Sequence, residues 1–489
     1  MRTLGNNKVS MGILLPVLAL FLVTIMIPAN IGNAEVNNVP QNSTLYTSVT
    51  SDDKWENAST ITTENEPGMV ADDPASQPNS VIVNYFVGSI ITSGDAAHGM
   101  VADSDGSQAW NHGTVITGGT NSYGMVASGD NSTINNNSGN GTDRASVQTS
   151  GAGSHGMVAS GTGSSAHVNI SDVVTTGNDA FGMYALNGAG VFNHLGGSIL
   201  TSGTDSHGMV AEGVGSTATN EPGAVIRTTS ADSYGMYALD GGQATNLGEV
   251  FTEGLSSHGM YALDGSIVVN LGTVRTLGAG SHGMVAENGS GSPSDPYAGA
   301  YNNTTIETSS DGSYGMYAVS SSRASNYGTI VTSGDNSHGM VASDGSWAYN
   351  HADITTNGAD AFGMYALNSS FIFNYGADTI ETWGDGSHGM VASNDSYAYS
   401  DGTIITHGSG SYGMAAFGGS TAISSGDITA EGINSVGMYA EGDGSSVTNN
   451  GLIIMKRVGS WGMEANGAGA SALNTGSIEI GLTRGPVAA

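Results

Sequence analysis

Seven of the twelve histidines of this chain stand at one recurring position, the residue before a Gly-Met pair: His98, His155, His207, His258, His282, His338 and His388. Imidazoles that return at a fixed spacing suggest two chemistries, ligation of a metal ion and protonation near neutral pH. Most other occupants of this position are aromatic (Tyr123, Phe181, Tyr234, Tyr314, Phe362, Tyr412 and Trp461), so histidine and aromatic alternate almost copy by copy. Nitrogens that share one zinc ion must each lie about 2 Å from it. On neighbouring β-strands about 4.8 Å apart, alternate histidines are separated by twice that distance and by a ring, and only His258 and His282 are adjacent. The spacing favours a stacked column, and no metal site is expected. Charging of the imidazoles near pH 6 is expected to loosen that column.

A second column follows the methionine. Histidine copies mostly carry Val there (Val101, Val158, Val210, Val285, Val341, Val391), and aromatic copies often carry Tyr (Tyr184, Tyr237, Tyr317, Tyr365). With Met and Ala facing a core, this column faces outward. A line of tyrosines is then a candidate contact for a sugar or a protein. Carboxylates sit in turns, as in Asp103-Ser-Asp105-Gly106, Asp344-Gly345 and Asp385-Gly386. That is turn chemistry first and only a weak pointer to calcium, so no cofactor is expected. Arg227, Arg275 and Arg323 are scattered, and no Gly-Asp-Ser-Gly occurs. The expectation is therefore a non-enzyme, with a polysaccharide-cleaving lyase or hydrolase as the alternative. The 42 Asp and Glu against 10 Lys and Arg exclude nucleic acid as a natural partner, because phosphate binding needs clustered cations. There is no cysteine, hence neither disulfide nor thiol chemistry.

What positions these columns is a repeat. The Gly-Met pair occurs sixteen times from Met69 to Met463, at spacings of 24 to 32 residues with 24 the commonest. Such a period marks a solenoid. In one copy, Tyr234-Gly-Met-Tyr-Ala238 predicts a strand, Asp240-Gly241-Gly242 a turn, Gln243–Asn246 a second strand, and Val250 with Thr252 a third, closed by Gly254. Apolar residues recur at period two, which selects strand over helix. Asn recurs ten or eleven residues after Met (Asn246, Asn270, Asn326, Asn350), and Ile or Val followed by Thr some residues later. The fold class is thus all-β: a parallel β-helix of about sixteen coils, about 24 residues and three short strands per coil. Met, Ala and Ile/Val fill its core, stacked Asn amides bond along its axis, and Gly before Met permits a tight corner. Leucine-rich and calcium-binding nonapeptide repeats lack these columns.

Three coils are enlarged, at Asp72–Ser80, Asn136–Ala145 and Asn288–Ala298. Insertions in solenoids emerge as loops and often carry binding, which adds Asp295 and Tyr297 to the candidate partner contacts. Residues 1–34 read as a Sec signal peptide: Arg2 and Lys8, an apolar run from Ile13 to Ile27, and small residues up to Ala34. Residues 35–66 read as an N-terminal cap, 67–480 as the β-helix and 481–489 as a tail.

The pattern Ser-x-Gly-Met-x-Ala, then Gly-Ser or Gly-Gly, then Asn-x-Gly-x-Ile-x-Thr-x-Gly resembles the passenger repeats of monomeric bacterial autotransporters, over roughly residues 64–480. The resemblance implies a right-handed, pectin-lyase-like helix delivered to the cell surface or beyond. There it would act as an adhesin or self-association scaffold. The implied partners are a host surface protein or glycan, or the same protein on a neighbouring cell. No functional residue carries over, because the repeats hold scaffold positions only. Such proteins end in a membrane β-barrel, whereas this sequence ends at Thr483-Arg-Gly-Pro-Val-Ala-Ala489. The exporter is therefore expected to be another chain or a part not included, and without one the protein would stay in the periplasm. Cleavage after Ala34 removes Arg2 and Lys8 and takes the net charge from −32 to −34. Mass spectrometry of the exported protein is expected to give Glu35 as its first residue, and an intact Met1 would refute the signal peptide.

Overall fold

Alternation of one inward and one outward residue over three to six positions makes strands, and Gly-, Asp- and Asn-rich corners end them. In a computed structural model, residues 54–71, 80–139, 141, 143–289, 299–376 and 378–481 are described. The signal segment, most of the cap segment, the widened corner at 72–79, the insertion at 290–298 with Asp295 and Tyr297, and the tail from 482 lie outside the described residues. All described residues belong to one compact unit, Thr44–Ala489.

Three parallel sheets of 17, 17 and 16 strands run along the solenoid, and no helix occurs among the described residues. An asparagine sheet runs from Lys54–Asn57 to Ser471–Asn474, a threonine sheet from Thr60–Thr63 to Ser477–Ile480, and a methionine sheet from Met69–Ala71 to Trp461–Asn466. Each strand pairs with its counterpart one coil on, like on like: Met236 opposite Met260, Asn246 opposite Asn270, Val250 opposite Val274, Thr252 opposite Thr276. The chain is thus a parallel β-solenoid of about sixteen turns. It starts earlier than the expected boundary at residue 67. Lys54–Asn57 pairs with Val81–Asn84, and Thr60–Thr63 with Ser89–Thr92. Asn57, Ile61 and Thr63 hold the column positions there without a preceding Gly-Met pair.

The core is one continuous cluster. Away from the two ends, methionines such as Met236, alanines such as Ala238, the inward Ile/Val of the threonine sheet and the second residue of the asparagine strands (Ala244, Val268, Ala300) are at most 2% exposed, whereas Ala472 and Ile478 of the last coil are exposed. Between these apolar columns lie polar ones that must be paired, since an unmatched buried polar group costs about 1–3 kcal/mol. Asn220 Nδ2 donates to Asn246 Oδ1 at 2.8 Å, Asn246 to Asn270 at 2.9 Å and Asn302 to Asn326 at 2.7 Å. Thr252 Oγ1 donates to the Ser257 carbonyl at 2.6 Å, and Ser257 N–H to Ser281 Oγ at 2.8 Å. The asparagine ladder is interrupted at Val168, which faces Asn136 on one side and Asn193 on the other. Asn193 Oδ1 is consequently buried without a partner.

The glycine before methionine is not the tight corner expected from sequence. A Cβ on Gly235 would sit 2.2 Å from Val250 Cγ1 and 2.7 Å from the Gly259 carbonyl oxygen. Space, not a left-handed backbone, requires it. The left-handed positions lie one turn on, at Asp240 (φ 53°) and Gly241 (φ 84°).

Asn326→Ala leaves a donor on Asn302 and an acceptor on Asn350 unmatched, and is expected to cost roughly 2–4 kcal/mol. Val168→Asn joins the ladder across this gap and is expected to gain about 1 kcal/mol. Denaturation midpoints check both. Equal midpoints for Asn326→Ala and the surface control Thr245→Ala would show that the ladder contributes nothing.

Candidate functional site

At the edge of the methionine sheet the His/aromatic column forms an unbroken stack of rings from His98 to Tyr412. Neighbouring centroids are 4.4–5.1 Å apart and the planes lie within 7–24° of each other. Every histidine of the column is used in the same way. Its Nδ1 accepts the backbone N–H of the next ring residue at 2.9–3.0 Å: Tyr123 to His98, Phe181 to His155, Tyr234 to His207, His282 to His258, Tyr314 to His282, Phe362 to His338 and Tyr412 to His388. An accepting Nδ1 carries no proton, so these imidazoles are neutral with the proton on Nε2. Burial holds them so, pushing His98, His338 and His388 down to about 4, His155, His207 and His258 to about 3, and His282 well below its ordinary value. The expectation that they charge near pH 6 therefore applies to the unfolded chain and not to the folded one.

The candidate tyrosines form a lid over this stack. Tyr184, Tyr237, Tyr317 and Tyr365 face outward but are half-buried. They meet the rings edge-on: Tyr184 with His155 at 5.2 Å, Tyr237 with His207 at 5.0 Å, Tyr317 with His282 at 5.4 Å and Tyr365 with His338 at 5.5 Å. The Tyr184 hydroxyl donates to Glu212, and the Tyr317 hydroxyl lies 3.1 Å from Ser343 Oγ. Desolvation raises the pKa of all four. They are not the freely exposed row that the sequence suggested, because each covers a ring below it.

Turn carboxylates are spent on the next coil. Asp95 Oδ1 accepts Thr120 N–H, Asp335 Oδ1 accepts Ala359 N–H and Asp385 Oδ1 accepts Ser409 N–H, each at 2.8 Å. Among the described residues no group of three or more His, Asp or Glu side chains is arranged to hold a metal ion.

Two polar clusters and one aromatic strip went unnoticed in the sequence. On the outside of the threonine sheet, His407 lies between Glu381 (Nε2 to Oε1, 2.9 Å) and Glu431 (Nδ1 to Oε2, 3.1 Å), stacked on Trp383 at 3.8 Å. Lys456 Nζ reaches Glu431 at 2.5 Å and helps hold its carboxyl below the usual range. On the asparagine sheet, His167 Nδ1 is 2.8 Å from His194 Nε2, and His194 Nδ1 is 2.8 Å from Glu221. Farther along the same outer face, five consecutive coils present Tyr301, Tyr327, Trp347, Tyr349, His351, Phe371, Phe373, Tyr375, Tyr397 and Tyr399. The signal was legible in Trp347-Ala-Tyr-Asn-His351, Phe371-Ile-Phe-Asn-Tyr375 and Tyr397-Ala-Tyr399, where aromatics flank the inward residues.

Residues 130–353, 294–401 and 375–485 match a family described as the BigA third pectate lyase-like domain. No curated protein sequence matches the chain. A solved structure of similar fold is the cryo-EM structure of the Vag8–C1 inhibitor complex, aligned with a TM-score of 0.51 at 15% identity over 86% of this chain and 99% of that one. At that identity the likeness is one of fold.

Unfolded histidines titrate near 6.5, and the buried ones stay neutral in the fold down to about 3–4. Between those values the unfolded chain binds protons that the folded chain does not. Their stability is complete above about pH 6.5 and falls as pH drops towards 4. At pH 5 the loss is about 2 kcal/mol for each of the most buried, His155, His207 and His338. Melting temperatures are expected to be lower at pH 5 than at pH 7.5, and His207→Phe to reduce the difference. Equal melting temperatures would refute the accepting role of Nδ1.

Proposed function

The chain belongs to the family of the BigA third pectate lyase-like domain, and from that premise we propose that it is the passenger of an autotransporter-type system, a non-catalytic surface adhesin or self-association scaffold. In this reading residues 1–34 direct export through the Sec system, and an outer-membrane exporter carries the chain to the cell surface or beyond. The observation that carries the reading is how side chains divide between inside and outside. Carboxylates of the turns are engaged with backbone N–H groups of the next coil, while the outer sheet faces carry rows of hydroxyl and aromatic side chains. Rows of that kind suit binding over an area better than chemistry at a point. Vag8 in that structure of similar fold is in complex with C1 inhibitor. That complex supports a protein as partner here; a host glycan or a copy on a neighbouring cell are the other partners of this reading.

One observation favours the other reading, a polysaccharide-cleaving enzyme. Glu381, His407, Glu431 and Lys456 converge on one outer face. General acid–base hydrolysis needs one free carboxylate and one protonated carboxyl, and here both glutamates are engaged, Glu381 with His407 and Glu431 with His407 and Lys456. Bacteria displaying the full chain are expected to aggregate or to adhere to host cells more than a strain lacking it, and Glu381→Gln to change neither. Release of reducing ends from pectate or another polysaccharide, lost in Glu381→Gln, would overturn the adhesive reading.

A further inference from the structure

On the outer face of the asparagine sheet, in-register pairing aligns side chains into rows along the axis. Arg323, Trp347, Phe371 and Tyr397 form one row, and Tyr301, Ser325, Tyr349, Phe373 and Tyr399 a second. Tyr327, His351 and Tyr375 flank them. Rings stack within each row: Trp347 on Phe371 at 5.9 Å and 6°, Tyr349 on Phe373 at 5.2 Å and 9°, Tyr327 on His351 at 4.8 Å and 1°, His351 on Tyr375 at 5.3 Å and 21°. Carbon atoms touch at about 3.5–4.0 Å, so parallel rings this far apart are slipped or gapped, and the rings of the strip are half-buried or, at Tyr327, exposed. At Tyr397 the stack breaks, its ring tilted 44° from Phe371 and 46° from Phe373.

We propose that this strip is a binding site for a linear, uncharged oligosaccharide lying along the solenoid axis. The proposal deepens the adhesive reading by naming its ligand class, and rests on that reading for its setting. Size argues first. Five coils at about 4.8 Å and a strand segment of five residues at about 3.3 Å each give roughly 400 Å². A stable protein interface buries about 800 Å² on each partner, so the strip is too small for a second copy of the chain.

Charge argues next. The strip's cation is Arg323, which lies over Tyr349 at 4.7 Å and Tyr301 at 5.9 Å. The chain as a whole carries −32 and repels an anionic polymer. Chemistry argues last. Tyr and Trp offer an apolar ring with a polar tip, and a pyranose offers the complement, C–H faces rimmed by hydroxyls. The hydroxyls of Tyr327, Tyr349, Tyr375, Tyr397 and Tyr399 have no hydrogen-bond partner among the described residues, unlike those of Tyr184 and Tyr317. A row repeating every coil suits a ligand that itself repeats, and Tyr327, 48% exposed, marks its open side.

The test is titration of the full mature chain with cellohexaose, chitohexaose and xylohexaose, read by Trp fluorescence and calorimetry, with hexagalacturonate as the anionic comparison. At least one neutral hexaose is expected to bind, more tightly than its trisaccharide. Trp347→Ala with Phe373→Ala is expected to weaken it at least tenfold, while Thr219→Ala with Thr245→Ala on the same face leaves it unchanged. Should the aromatic pair fail to fold, Tyr327→Ala and Tyr375→Phe, at the exposed rim, replace it and are expected to weaken binding several-fold. Failure of every neutral hexaose to bind, equal binding of hexagalacturonate, or binding untouched by these substitutions overturns the proposal. Cell adhesion that persists without hexaose binding overturns the ligand class alone. Hexaose binding without adhesion or aggregation overturns the adhesive reading alone.

Discussion

Every coil of this solenoid buries polar groups that only the next coil can satisfy. A single coil has too little apolar surface to fold alone, and the side chains that widen its interior include asparagine, threonine and serine at 0% exposure. Their desolvation is offset only because the pairing partner lies one strand spacing away, in the same register, at 2.7–2.9 Å. Register is therefore fixed twice, by the backbone ladder and by the amide ladder. A slip by one residue would turn Met and Ala outward and strand each buried amide.

The ring stack obeys the same constraint at the edge of the methionine sheet. A backbone N–H there finds an imidazole nitrogen in the previous coil in place of a carbonyl. The imidazole is both an aromatic plate and an acceptor, which explains why histidine, and not a further tyrosine, alternates with the aromatic residues. Nδ1 of each of the seven histidines is thereby engaged as an acceptor within the column.

Much of the architecture was legible in the sequence because its periodic positions face inward, where few residue types fit. Met236, Ala238, Asn246, Val250 and Thr252 each return at the same offset and are each buried, and their columns alone specify strands, coil length and core. The first coil escaped because Asn57 and Thr63 stand in place without a Gly-Met pair before them. The role of Gly235 was misread because a sequence shows that a glycine recurs but not whether space or backbone angle demands it. Outward residues were the hard part. Solvent tolerates variety there, so the aromatic strip has no strict period. Tyr184 and Tyr237, which do recur, turned out to be covers for the rings beneath them. Ion pairs such as Glu381–His407–Glu431 unite residues about 25 apart on three coils, and nothing local in the chain announces them.

The amide ladder also has a sense. In every link Nδ2 of one coil donates to Oδ1 of the coil that follows, from Asn57 to Asn136 and again from Asn193 to Asn374. Within those two runs each coil boundary presents the same acceptor on one side and the same donor on the other. Whole coils can be gained or lost by unequal recombination within the gene without leaving a mismatched joint, so reach becomes a quantity that selection can lengthen or shorten in steps. Val168, and Ser400 and Ser424 beyond Asn374, mark joints at which the amide match is lost.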